Sequence, residues 1–167
     1  MKRLLTVMMF VVCFLGAPFI VKAADIEALD ILEFGILEAQ LIGKGEAPEA
    51  ATGTSNIITR IVFIEQTTNI PAQAGIRFGF EFIIKGKALG DKVDLTYRYL
   101  HPPMTNPETG KLFTSQEIVS KGREIGKADS ISYSLDYPWE AVPGEWVLQV
   151  LYKDRKVAEK SFNLYKP

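Results

Sequence analysis

Residues 75–86, GIRFGFEFIIKG, set Ile76, Phe78, Phe80, Phe82 and Ile84 on one parity and Arg77, Gly79, Glu81, Ile83 and Lys85 on the other. A repeat of two belongs to a β-strand, whose successive side chains leave opposite faces. The aromatic parity must therefore lie in a core. The same period recurs in residues 92–100, where Val93, Leu95, Tyr97 and Tyr99 oppose Asp94, Thr96 and Arg98, and again in 130–136. It returns in 145–152, as Trp146, Leu148, Val150 and Tyr152, which places Trp146 in the core.

Around these strands the signals are weaker. Residues 57–67 are β-branched and stop before Asn69-Ile70-Pro71, so they read as a strand. In 25–43 the apolar positions fit neither period cleanly. The alternation of Phe34 and Ile36 about Gly35, and the stop at Gly43-Lys44-Gly45, favour a strand followed by a loop over 44–56. Residues 111–129 carry charges, Gly122 and Gly126, and predict at most one weak strand or helical turn. The last two strands form a hairpin around Lys153-Asp154-Arg155. In the final strand the unequal parity of Val157, Phe162 and Leu164 predicts a bulge near Glu159-Lys160.

About seven short strands and no long amphipathic helix predict an all-β protein rather than an α/β one. The closing pattern, Pro143-Gly144-Glu145-Trp146 followed by alternation, a charged turn and a final Phe162, suits an immunoglobulin-like antiparallel β-sandwich. Three segments also carry a resemblance: GIRFGFEF at 75–82, HPPMTNPETGK at 101–111 and WEAVPGEW at 139–146. Together they resemble a family of exported bacterial proteins known only as a domain of unknown function, over most of residues 31–164. That resemblance implies the fold and no catalytic residues.

The first residues bear on location. Lys2 and Arg3 precede an uncharged stretch, Leu4 to Val21, and Val21-Lys22-Ala23 offers small residues at the positions that a signal peptidase reads. Residues 1–23 are thus expected to be a secretory signal peptide, and 24–167 a single β-sandwich domain. About 20 apolar residues would also span a bilayer, but Pro18 and Lys22 interrupt this stretch, and no stable membrane insertion is expected after cleavage. Cys13 precedes Phe14 inside the apolar run, which is not where a lipid is attached.

Loss of Lys2, Arg3 and Lys22 from 19 basic side chains leaves 16 against 20 acidic ones, a net charge of −4. A basic run interleaved with aromatics, the electrostatic footprint of a nucleic-acid binder, is missing, so nucleic acid is not an expected partner. Cys13 is the only cysteine, so the mature chain forms no internal disulfide in an oxidising compartment and depends on packing.

Chemistry-bearing patterns are sparse. His101 is the only histidine, and Glu108 and Glu117 stand at no diagnostic metal spacing, so neither metal nor cofactor is expected. The nearer role for His101 is local, its ring nitrogens bonding the backbone of a rigid loop. Serine-nucleophile motifs and phosphate loops are absent. Asp136 and Glu140 are close in sequence, yet 20 acids in 144 residues make such pairs common. An enzyme is not expected.

Two places stand out for binding. Pro102, Pro103 and Pro107 stiffen the segment 101–111, and Asn106 and Thr109 supply turn hydrogen bonds, so that Met104 either lies on a presented surface or packs underneath. Trp139, beside Pro138, is the candidate surface anchor. The expected binding residues are therefore His101, Pro103, Met104, Asn106 and Trp139, with Met104 and Trp139 dispensable for stability. The leading expectation is a periplasmic protein-interaction module that engages an envelope protein through a sheet edge or this loop. The alternatives are a small-ligand or glycan-binding domain using exposed aromatics, and a secreted hydrolase inhibitor using the proline-rich loop.

Overall fold

A computed structural model describes residues 26–48, 50–86 and 89–167; the expected signal peptide lies outside the described residues. Among the described residues nine strands form two sheets. The first sheet holds β1 (Ala28–Glu46), β2 (Thr54–Glu65), β4 (Arg77–Lys85) and β7 (Ala128–Ser134) in the order β2-β1-β4-β7. The second holds β3 (Asn69–Pro71), β5 (Lys92–Thr105), β6 (Leu112–Glu124), β8 (Gly144–Tyr152) and β9 (Arg155–Tyr165) in the order β3-β9-β8-β5-β6. All pairs are antiparallel except β3 on β9. This is the expected sandwich with two strands more than the sequence announces.

The core follows from the parities. Phe78, Phe80, Phe82 and Ile84 of β4 are buried against Leu95, Tyr97 and Tyr99 of β5 and against Trp146, Leu148 and Val150 of β8. Aromatic edges meet faces across the two sheets: Phe78 lies 5.8 Å from Trp146 at 85° and 5.1 Å from Phe162, and Phe82 lies 6.4 Å from Tyr97 at 84°. Such pairs add to the burial of area itself. With no cysteine in the described residues, this aromatic seam ties the sheets together.

Four differences from expectation have local causes. The prolines do not end β5. The β5–β6 ladder skips from Leu100 to Met104, and β8 pairs no further than Leu100, so Pro102 and Pro103 sit where no ladder donor is required. Residues 112–124 form a full edge strand, β6, whose alternation is hidden by a break in register between Arg123 and Ser120 that contains Gly122 at φ +67°. The Gly43-Lys44-Gly45 stop is overridden because Lys44, Gly45 and Glu46 pair with Asn56, Ser55 and Thr54. The bulge in β9 falls at Val157 rather than at 159–160, since Val150 pairs with Ala158 and Leu151 with Lys156. The β8–β9 turn itself needs both central residues at positive φ, and Lys153 (+49°) and Asp154 (+62°) supply them, as a type I′ hairpin requires.

The first sheet is not flat. β4 pairs with the first half of β1, Ala28 to Ile36, and β2 pairs with the second half, Ile36 to Glu46. The hand-over occurs beside Gly35, at φ +137°, where a Cβ would come within 1.9 Å of the Glu65 carbonyl oxygen. Beyond it the β1–β2 hairpin becomes an arm that docks by its tip on the other sheet. Ala51 N donates to Gln116 Oε1 of β6 (3.0 Å), and Asn106 Nδ2 donates to Ala51 O (2.9 Å).

Gly79 marks a similar closeness between β4 and β7, since a Cβ there would lie 2.1 Å from Ile131 O and 2.7 Å from Ser132 Cα. Backbone cannot yield as a side chain can, so Gly79→Ala is expected to cost about 1–3 kcal/mol, as overpacking does. Urea unfolding checks this, and an unchanged midpoint would contradict the close approach.

Candidate functional site

The residues expected to bind fall mostly inside the molecule. Met104 is 2% exposed and packs in the core, so its expected place on a presented surface and its dispensability are corrected. The bulge at 101–103 turns it inward. His101 continues the inward face of Tyr97 and Tyr99 and stacks 4.8 Å from Trp146. Its Nδ1 lies 2.8 Å from the Pro102 carbonyl, the local role that a rigid loop suggests.

Asn106 is also buried and fully engaged. Its Oδ1 accepts from Glu108 N (2.8 Å) and Thr109 N (3.3 Å), while its amide holds the arm tip. It is a clamp between turn and arm, not an open binding group. Pro103 is exposed but isolated from its expected partners. Trp139 is half-buried, packs against the core and stacks on Tyr137 at 5.9 Å and 14°. The five residues do not make one surface, and of the segment expected to insert as an inhibitor the first part, through Thr105, belongs to strand β5.

A different site emerges beside the arm. A cleft of about 720 Å³ is lined from β2, β4, β5, β6 and β7, a size typical of ligand-binding clefts. Eight consecutive residues of β2, from Thr54 to Ile61, line it, and so do residues of both parities on β7, including Ser132 and Tyr133. A strand that shows both parities to a space is presenting its edge. β2 and β7 are the two terminal strands of one sheet, so their unpaired edges look onto the same cleft. A side-chain bridge crosses between the arm and the end of β7, from Asn56 Nδ2 to Asp136 Oδ2 (3.2 Å).

The cleft is polar, and most of its acids are engaged. Asp129 accepts from Tyr97 OH (2.6 Å) and pairs with Arg123 (3.3 Å). Glu140, 2% exposed, accepts from Tyr133 OH (2.8 Å) and Tyr137 N (2.9 Å). Burial raises the Glu140 pKa above its ordinary value, against the hydrogen bonds from Tyr133 and Tyr137, and burial likewise pushes Tyr97, Tyr99 and Tyr133 well above the usual phenol value, so the three hydroxyls stay protonated. Glu140 and Asp136 thus serve as anchors for neighbouring groups.

Two donors in the cleft are not used up. Gln116 is 5% exposed, and its Nε2 has no hydrogen-bond acceptor among the described residues, although it faces the Tyr133 hydroxyl. The Arg77 side chain forms no ion pair or hydrogen bond among the described residues; burial lowers its pKa, and the Asp136 carboxylate offsets this only in part. Neither is legible in the sequence: Gln116 stands in the segment that reads as irregular, and Arg77 reads as the solvent side of β4. Among the described residues no cluster of three His, Cys, Asp or Glu side chains forms a metal-ligating group.

His101 offers a pH test of its burial. Burial lowers its pKa below 6.5, against a smaller opposite effect of the Pro102 carbonyl. Below pH 6.5 the unfolded chain binds a proton that the folded protein refuses, so stability should fall as pH drops through the window just under 6.5 and level off above it. Replacement by phenylalanine, His101→Phe, should flatten this slope, by at most about 1.4 kcal/mol per pH unit for one proton. Glu140, raised above its ordinary value, contributes with the opposite sign above pH 4.5 and is common to both proteins. Equal slopes from denaturant unfolding at pH 5–7 would show that His101 titrates freely.

Comparison with known proteins agrees with the fold. The crystal structure of an immunoglobulin-like protein from Pseudomonas aeruginosa is similar, at 32% sequence identity and a TM-score of 0.60, over 86% of this chain and 100% of that one. No curated protein matches. The model of the family described as a domain of unknown function, DUF3859, matches residues 26–164, and the chain belongs to that family.

Proposed function

We propose that this protein is an exported, non-catalytic interaction module of the bacterial envelope, and that it holds an extended segment of a partner in the cleft between β2 and β7. The observation that carries this reading is the pair of unpaired edges of one sheet lining one cleft. Each edge is a row of backbone donors and acceptors able to add a strand. Eight residues of β2 and seven of β7 offer roughly 23–26 Å of edge at a rise of about 3.3 Å per residue. β2 and β4 both run antiparallel to β1, and β7 runs antiparallel to β4. An inserted strand therefore runs parallel to one edge and antiparallel to the other.

The hydroxyls of Ser120, Ser130, Ser132 and Ser134 favour a second reading, a glycan or other small polar ligand bound through side chains. Hydrogen exchange separates the two. Photo-crosslinkers placed at Thr59 and Ser132, with Lys166 as a control, identify what occupies the cleft in cells. Amide protection is then followed in 54–61 and 128–134 with the captured partner. Strand addition predicts capture at both cleft positions and slower exchange along both edges. Capture equal at Lys166, or a bound glycan that leaves the edge amides unprotected, would overturn it.

Export is part of the same proposal. Intact mass of the protein from the periplasmic fraction should correspond to a chain beginning at Ala24. A chain retaining residues 1–23 in the membrane fraction would remove the envelope-soluble setting.

A further inference from the structure

Arg77 and Gln116 give the cleft a chemical preference, a role that rests on the strand-binding proposal. A guanidinium half-withdrawn from water normally finds a carboxylate, because desolvation without a partner is costly. Arg77 lines the cleft without one. The carboxylate that acts electrostatically on it, Asp136, is instead held by Asn56 Nδ2 (3.2 Å) and Ser134 Oγ (2.5 Å). Gln116 repeats the pattern on the facing sheet. Its Oε1 is engaged by the arm at Ala51, while its Nε2, in a side chain more than nine-tenths buried, has no acceptor among the described residues.

Both groups are donors, and both belong to the lining of one cleft. The Tyr99 hydroxyl, held protonated by burial, lies within the electrostatic reach of Arg77 and adds a third donor at that end. Such a set is complementary to acceptors, and its one permanent charge is complementary to an anion.

We propose that Arg77 and Gln116 read an acidic residue in the extended peptide, Arg77 receiving its side-chain carboxylate and Gln116 a carbonyl oxygen beside it. Glu81, four residues along β4 in the same cleft, carries the opposite sign. The preference therefore falls on one position of the peptide and is not a general attraction to negative charge.

The test is selection of a phage-displayed library of random dodecapeptides on the full exported protein and on Arg77→Lys, Arg77→Glu and Gln116→Leu variants. The wild type should enrich peptides with Asp or Glu at a single position, and replacing that residue by its amide should weaken binding by at least about tenfold, as loss of one charge-assisted contact does. Arg77→Lys keeps the preference, which guards against misreading a folding defect, and Arg77→Glu transfers it to Lys or Arg. Gln116→Leu weakens the selected peptide without changing the acidic position. Peptides that bind and protect both strand edges with no acidic preference overturn the role of Arg77 while sparing the strand-binding reading. Failure of any peptide to be enriched overturns both.

Discussion

Trp146 is the point at which the two sheets and the corner between them are tied. Its indole meets Phe78 of the opposite sheet edge to face, and lies 4.8 Å from both Tyr133 and His101. Its Nε1 donates to Val142 O (3.0 Å), which fixes the corner leading into β8. A ring this large, with 0% exposure and its one polar atom satisfied, loses nothing to unmet hydrogen bonding and gains the full area of its burial. The sheets have no covalent link among the described residues, so their spacing depends on this contact and its neighbours.

From that centre the order extends outward to the cleft. Tyr133 packs on Trp146 and passes its hydroxyl to Glu140, whose other oxygen holds the backbone of Tyr137. Gln116 lies at the hydroxyl side of Tyr133 and reaches the arm through Ala51, and Asn106 holds Ala51 from the turn of the other sheet. The arm is thus fastened at its tip by two side-chain hydrogen bonds, close to the tip by the Asn56–Asp136 bridge, and at its root by its pairing through β1. Between those attachments β2 has no buried residue. The cleft owes its shape to a wall fixed at the two ends.

The fold was readable where a strand has one wet and one dry face. In β4 and β8 parity alone identified the core, down to Phe78 and Trp146. It failed where a bulge interrupts the count: the break between Arg123 and Ser120 hid β6, and the gap after Leu100 disguised a strand as a proline loop and made Met104 look presentable. The same failure concealed the site. Gln116 is inward only in a strand that the count did not reveal, and the free edges of β2 and β7 are a property of pairing order, which no local pattern encodes. The motif 101–111 did bear on the site, but through Asn106 as a fastening.

An unpaired strand edge is ordinarily a hazard, since any exposed sheet can join it and the joining need not stop. Here the bending of β1 at Gly35 turns one end of the sheet toward the other, so that the two edges front a shared cleft rather than open solvent. On the strand-binding proposal, the hand-over at this one glycine thereby turns a surface prone to open-ended aggregation into a closed slot for a single extended segment.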